Sequence, residues 1–262
     1  MISNTNSFKT LKEQVQEVIN FSVLCCSAVP SLKGYMKAIE KGSAAKLPDA
    51  DYYHGDPDFQ RLRDYIPAYK KNLGKLMLLS SFSYFEAYFK SMITEFFNYH
   101  GGFDTYIEMA LSRQKSHILY AENEPAKTSV RKLREYPKNG KKDKYIKHAK
   151  LLANSEFRFP SELMSAFGAK ELHARYKDMK SVDIPHFAQW CFGVPLSEYE
   201  IKTFHSVRET RNDIAHGKKQ YVDIGDAMEY NKTLRALALK IDSHIVEHFF
   251  VIEAGSEKPI EV

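Results

Sequence analysis

The segment from Phe59 to His100 constrains the fold most. Past Pro67, its apolar residues Leu73, Leu76, Met77, Phe82, Phe85, Phe89, Met92, Ile93, Phe96 and Phe97 fall nearly all round a 3.6-residue helix. A helix with no polar side must be surrounded, so several other helices have to pack on it. Pro67 is expected to kink this segment or split off its first turn. Gly101 and Gly102 are expected to stop it. Ser80, Ser83, Ala87, Ser91 and Thr94 form a stripe of small residues where another helix is expected to come close.

The rest of the chain reads as partners for that helix. Phe8, Leu11, Val15, Val18, Ile19 and Ser22 recur at helical spacing over residues 7–29, and Pro30 is expected to end that helix. A short helix should follow at 32–41, then a loop at 42–58 rich in Gly, Pro and Asp. Between 103 and 195 shorter helices are expected near 104–116, 125–135, 143–153, 160–167, 169–179 and 184–192. Their breaks are Pro125, Pro137, Pro160, Gly168, Pro185 and Gly193. A further helix starts after Ser197, a good N-cap residue, and stops at Gly217. Asp223 or Asp226 caps the last helix, whose face carries Ala227, Tyr230, Leu234, Leu237, Ile241 and Ile245 and which ends near Phe250. Only "YVDI" resembles a strand. The class is therefore all-α: one domain over 1–262, with a helical bundle built from 59–100 and 196–250 and extra helices inserted between these two main pairs. A chain of this length buries a sizeable core without staples.

Three cysteines, two of them adjacent and none in a CxxC pair, fit a reducing, cytoplasmic compartment. The early apolar run "FSVLCCSAV" has about half of the ~20 residues a membrane span needs. Glu13 and Glu17 precede it where a secretory leader would carry basic residues. No membrane association is expected. Phosphate-binding glycine loops, dinucleotide fingerprints, the GxSxG elbow and zinc-finger spacing are all absent, and no cofactor is expected. "HIVEH" at 244–248 does match the inverted zincin pattern, with His244 and His248 on one helical face and Glu247 between them. Little chain follows to supply a third ligand. These are read as helix-surface or dimer-surface histidines, and a metal hydrolase stays as a third alternative.

The most unusual polar stretch is "HSVRETRNDIAHG", His205 to Gly217. On an ideal helix His205, Glu209, Asn212 and His216 share one face. Phe204, Arg208, Arg211 and Ala215 share the adjoining one, while Val207 and Ile214 point toward a core. One reading is a polar helix terminus: a histidine in the last turn suits the helix dipole, and the arginines pair with Glu209 and Asp213. The other is a reactive site.

"RNDIAH" resembles the R-x4-6-H signature of the HEPN superfamily of helical ribonucleases and nucleic-acid-associated proteins. The upstream segment "LLSSFSYFEAYFKSMITEFF" is similar to the early helix of those domains, and the order of helices is the same. The likeness covers about 73–100 and 196–250. It implies catalytic roles for Arg211 and His216, with Asn212 at the polar position after the arginine. Glu86 would be the acidic residue of the early helix, and Arg208 and His205 supporting or RNA-contacting groups. It also implies a homodimer that brings two such motifs to one cleft, and a role in phage defence or toxin-type stress response, with an antitoxin or sensor protein as a further partner. Some relatives carry a modifiable tyrosine two residues after the histidine, but here that residue is Lys218. The chemistry is self-consistent. An RNA 2′-hydroxyl attacks the neighbouring phosphate if a proton acceptor, a proton donor and a stabiliser of the anionic transition state are supplied. An imidazole exchanges protons near neutrality and a guanidinium fork grips phosphate oxygens. The expected activity is thus a metal-independent endoribonuclease. The alternative is a non-catalytic protein- or RNA-binding module of the same fold.

An RNA partner also suits the middle segment. Arg131, Lys132, Arg134, Lys141, Lys142 and Lys144 crowd it, interleaved with Tyr136 and Tyr145, against little acidic opposition. The other reading of this stretch is a solvated charged loop.

Overall fold

The computed structural model describes residues 3–47, 59–120, 128–129, 131, 147 and 160–252. The helices are α1 (Asn6–Glu40), α2 (Phe59–Tyr65), α3 (Tyr69–Tyr99), α4 (Phe103–Tyr120), α5 (Pro160–Leu163), α6 (Ala166–Arg175), α7 (Ile184–Phe192), α8 (Glu198–Ala215) and α9 (Ile224–Phe249). Single 3-10 turns occupy Ile66–Ala68 and Ser181–Asp183. No strand occurs among the described residues, and the fold is all-α. Tyr221–Asp223 of "YVDI" is an irregular link, and Ile224 already begins α9. The expected helices at 125–135 and 143–153 lie almost wholly outside the described residues.

Several boundaries follow from identifiable local chemistry. Pro67 sits in the 3-10 turn that separates α2 from α3, as its missing N–H requires. α3 ends in a Schellman motif: Gly102 N–H bonds Phe97 O at 2.8 Å, Gly101 N–H bonds Asn98 O at 3.1 Å, and Gly101 has φ 79°. α8 opens with a capping box, in which Glu200 N–H reaches Ser197 Oγ and the Glu200 carboxylate accepts from Ser197 N–H at 2.7 Å. Asp223 caps α9 by accepting from Gly225 N–H at 2.9 Å.

Two proline and glycine expectations are corrected. Pro30 lies inside α1, which runs unbroken to Glu40. Pro30 is exposed, so water can serve the carbonyl whose helical partner it removes. Gly168 lies inside α6, and the break falls instead at Ser165, whose hydroxyl accepts from Gly168 N–H. With Pro30 no longer a stop, the apolar stretch of α1 is longer than its sequence run suggested. One 18-residue window has mean hydropathy 1.3, and only 11% of it is buried. By length and composition alone the helix is long enough to cross a membrane, a test that core helices and leader sequences also pass.

The chain divides into two compact units, to both of which α1, α3, α8 and α9 give residues. The first comprises Met1–Leu11, Phe85–Arg208 and Leu234–Val262. Phe96 is its hub: wholly buried, it makes edge contacts with Tyr106, Phe192 and Phe249 at centroid distances of 5.0, 5.7 and 5.8 Å. Phe85 and Phe204 pack at 5.6 Å in the same unit. The N-terminus is tied down by acids from distant helices. Buried Asp242 accepts from Asn4 and Thr5, and Glu95 accepts from the backbone N–H groups of Asn6 and Ser7 at 2.7 and 2.9 Å.

The second unit comprises Lys12–Tyr84 and Glu209–Thr233. Its core holds Val15, Met36, Leu73, Met77, Leu78, Phe82, Val222 and Ala227. Buried Asn231 donates to Ser81 at 3.1 Å. Gly74 meets the link before α9 backbone to backbone: a Cβ there would stand 2.2 Å from Val222 O. The all-round burial expected of α3 has an exception here, because Leu76 is 57% exposed. The small-residue stripe also faces outward, with Ser83, Ala87, Ser91 and Thr94 exposed.

Candidate functional site

α8 is amphipathic in the sense its sequence suggested, with one change. Val207 and Ile214 are buried as expected, but Phe204 is wholly buried too. It is a core residue, and the two arginines placed on its face are half-buried rather than set out in solvent. The helix ends at Ala215. Gly217 follows at φ 73°, a left-handed conformation that glycine adopts without steric cost, and its N–H returns to Ile214 O at 3.0 Å. This turn places His216 just beyond the last helical residue, in an exposed position. Lys218, Lys219, Gln220 and Tyr221 continue that exposed strip, and Lys71 Nζ lies 4.6 Å from the Tyr221 ring centroid.

Arg211 is held from two directions. Its guanidinium carbon lies 5.4 Å from the centroid of buried Phe82, and its Nη1 donates to Asn212 Oδ1 at 3.0 Å. The first contact is a cation–π interaction at short range. The second ties the guanidinium to the neighbouring amide. Phe82, Arg211, Asn212 and His216 all belong to the second unit. Phe82 was legible in the sequence only as core. Its additional service as a platform for Arg211 requires knowing which faces of α3 and α8 meet.

The other sequence candidates lie elsewhere. Glu86, His205 and Arg208 belong to the first unit, where each is half-buried. Lys90, one helical turn after Glu86, gives its ammonium to Lys177 O at 3.1 Å. Arg131 is exposed, and Lys132, Arg134, Lys141, Lys142 and Lys144 lie outside the described residues, as do Tyr136 and Tyr145.

The geometry weakens the inverted zincin alternative. The His244 and His248 rings are 4.5 Å apart, but His244 Nε2 donates to Phe192 O at 2.8 Å. Burial, only partly offset by that bond, pushes the His244 imidazole down to about 4. Glu247 is strongly exposed. Among the described residues no three His, Cys, Asp or Glu side chains converge as a ligand set.

The remaining arrangement offers a solvent-facing imidazole and, five residues earlier, a guanidinium braced by an aromatic ring and an amide. Such a pair can exchange a proton and stabilise an anionic phosphate. No curated protein and no solved structure matches the chain. The family model of RiboL-PSP-HEPN domains matches residues 54–247, which take in α3 and the whole Arg211–His216 stretch. The match spans well over half of the sequence, and the chain belongs to the RiboL-PSP-HEPN family within the HEPN superfamily.

Proposed function

We propose that this protein is an endoribonuclease that cleaves RNA without a metal, through attack of the 2′-hydroxyl on the adjacent phosphate. The observation that carries the proposal is the placement of the motif: His216 stands exposed just past the end of α8, while Arg211 is braced on Phe82 and Asn212. In this reading His216 exchanges the proton of the attacking hydroxyl or of the leaving oxygen. Arg211 stabilises charge on the phosphate oxygens, and Asn212 keeps the guanidinium oriented. One imidazole and one guanidinium make half of an efficient site, so the working form is a homodimer that joins two motifs. The middle basic segment, with Lys141 and Lys142, guides RNA to that cleft. A role in phage defence or a toxin-type response, under an antitoxin or sensor partner, is part of the same proposal.

A second reading has an observation in its favour. The packing of Arg211 on a core phenylalanine is also what a structural arginine does, and it suits a non-catalytic binding module. One experiment separates the two. Wild type and His216→Ala are incubated with end-labelled RNA in excess EDTA, and the product ends are identified. Cleavage by wild type alone, leaving 2′,3′-cyclic phosphate, supports the nuclease. RNA that is bound but left intact by the wild-type dimer favours the module.

A further inference from the structure

A cavity of about 680 Å³ opens in the second unit, between the first turns of α3 and the turn that follows α8. Most of its lining residues are exposed, so it is an open groove rather than an enclosed pocket. Ile214, from within the Arg211–His216 stretch, and Gly217, which follows His216, both line it, so the space borders the motif. Three kinds of side chain line the rest, and each suits a different part of one ligand. Leu76, Leu79 and Ile214 give an apolar surface. Leu76 is 57% exposed, so its side chain is open to an occupant of this space. Asn72 and Gln220 face the same space from opposite elements, and both are exposed. Primary amides carry a donor and an acceptor side by side and are the neutral groups best matched to base edges. Lys75 and Lys219 add two cations, which suit phosphate.

A flat apolar face, a hydrogen-bonding edge and an attached anion together describe a nucleotide. We propose that this cavity is a nucleotide subsite. It takes the RNA residue next to the cleaved phosphodiester, its base on Leu76, Leu79 and Ile214 with the edge read by Asn72 and Gln220, and its phosphate by Lys75 and Lys219. The subsite thereby sets the base preference of cleavage. The proposal rests on the ribonuclease reading above and deepens it. Single-stranded RNA suits such a site, because unstacked bases can enter a pocket edge first.

The test uses the full-length protein in EDTA, with the four ribonucleoside 3′-monophosphates and inorganic phosphate as probes, followed by backbone amide shifts in NMR spectra. The expected result is saturable shifts at Gly217–Gln220, with one base preferred. The Asn72→Ala/Gln220→Ala double variant should lose affinity about tenfold and the preference with it. Both positions are exposed, and an unchanged melting temperature verifies the fold. The subsite is refuted if no nucleotide shifts these amides at about 10 mM, if inorganic phosphate alone accounts for the whole effect, or if the double variant binds and discriminates like wild type. Its failure is separable from failure of the nuclease reading. RNA cut with an unchanged base pattern in the double variant removes the subsite and keeps the nuclease. Selective nucleotide binding by a wild type that cuts no RNA keeps the subsite and removes the nuclease.

Discussion

Replacing Gly74 with alanine puts a methyl group where the structure has none to spare. The new Cβ would stand 2.2 Å from Val222 O and 3.0 Å from the Asp223 carbonyl carbon, against ordinary contacts that begin at 3.4 Å. Neither neighbour is the tip of a flexible side chain, so the backbone of the link, or α3 itself, must retreat by about 1 Å; overpacking of this kind costs about 1–3 kcal/mol. Against this stands the gain of alanine over glycine inside a helix, about 1 kcal/mol. A clash of 2.2 Å against backbone belongs at the upper end of that cost, so the balance is a net loss of about 2 kcal/mol, a fall in melting temperature of roughly 4–8 °C for a chain of this size. The assay is thermal unfolding followed by far-ultraviolet circular dichroism, with urea midpoints as a check. The sign decides the matter. Without the close approach, Gly74→Ala would be a simple gain in helix propensity and the protein would melt higher. A rise in melting temperature would refute the packing of α3 on Val222. Because the displaced link begins right after His216, RNA cleavage should fall along with stability.

Other substitutions and conditions probe different parts of the argument. Arg211→Lys keeps the charge but loses the planar fork that lies on Phe82 and bonds Asn212, so cleavage should drop roughly 100-fold with RNA affinity little changed; wild-type rates in this variant would show that geometry is irrelevant there. His100 and His244 donate Nε2–H to the carbonyls of Phe249 and Phe192, and burial pushes both imidazoles down to about 4. The unfolded chain takes up their protons near 6.5, so stability should fall as pH drops from about 6.5 to about 4, by on the order of 3 kcal/mol for His100 and less for the more exposed His244. The Asp242 carboxyl, raised by burial, works in the opposite direction at the acid end, since its protonated form is favoured in the folded state. Urea midpoints against pH should slope accordingly and flatten in His100→Gln; an equal slope in that variant would assign the acid loss elsewhere. Reversing Lys141 and Lys142 to glutamate should weaken RNA binding several-fold and reduce its salt dependence while leaving the melting temperature unchanged. Unaltered binding would mean that substrate enters by another path.

How much of this was legible in the sequence depended on whether a residue acts locally. Pro67, Gly101 with Gly102, Ser197 and Gly193 mark helix ends through their own backbone chemistry, and each reads correctly. Pro30 and Gly168 carry equally strong local signals and mislead, because exposure at Pro30 and the Ser165 cap beside Gly168 override them. The motif itself was legible as a string, including the polar face of α8. Its support was not: Phe82 lies more than 120 residues upstream of Arg211, and nothing in either segment announces that they meet. Gly74 left the one hint that a single sequence can give, a glycine in the interior of an otherwise unbroken helical pattern. Asn72 and Gln220 gave none, since exposed amides on a helix and in a turn are commonplace.

The second unit is assembled from chain segments that are synthesised far apart. Residues 12–84 leave the ribosome early, but Val222 and the motif arrive only after the whole of 85–208 has been made. Closing so long a loop carries an entropic cost that only the late contacts repay. A nascent chain therefore holds the Phe82 platform and the Gly74 notch while 85–208 is being made, with nothing to put in them. For a protein proposed to cut RNA, the order of its own translation acts as a timer: the guanidinium and the imidazole reach the second unit only after the whole of 85–208 has been made.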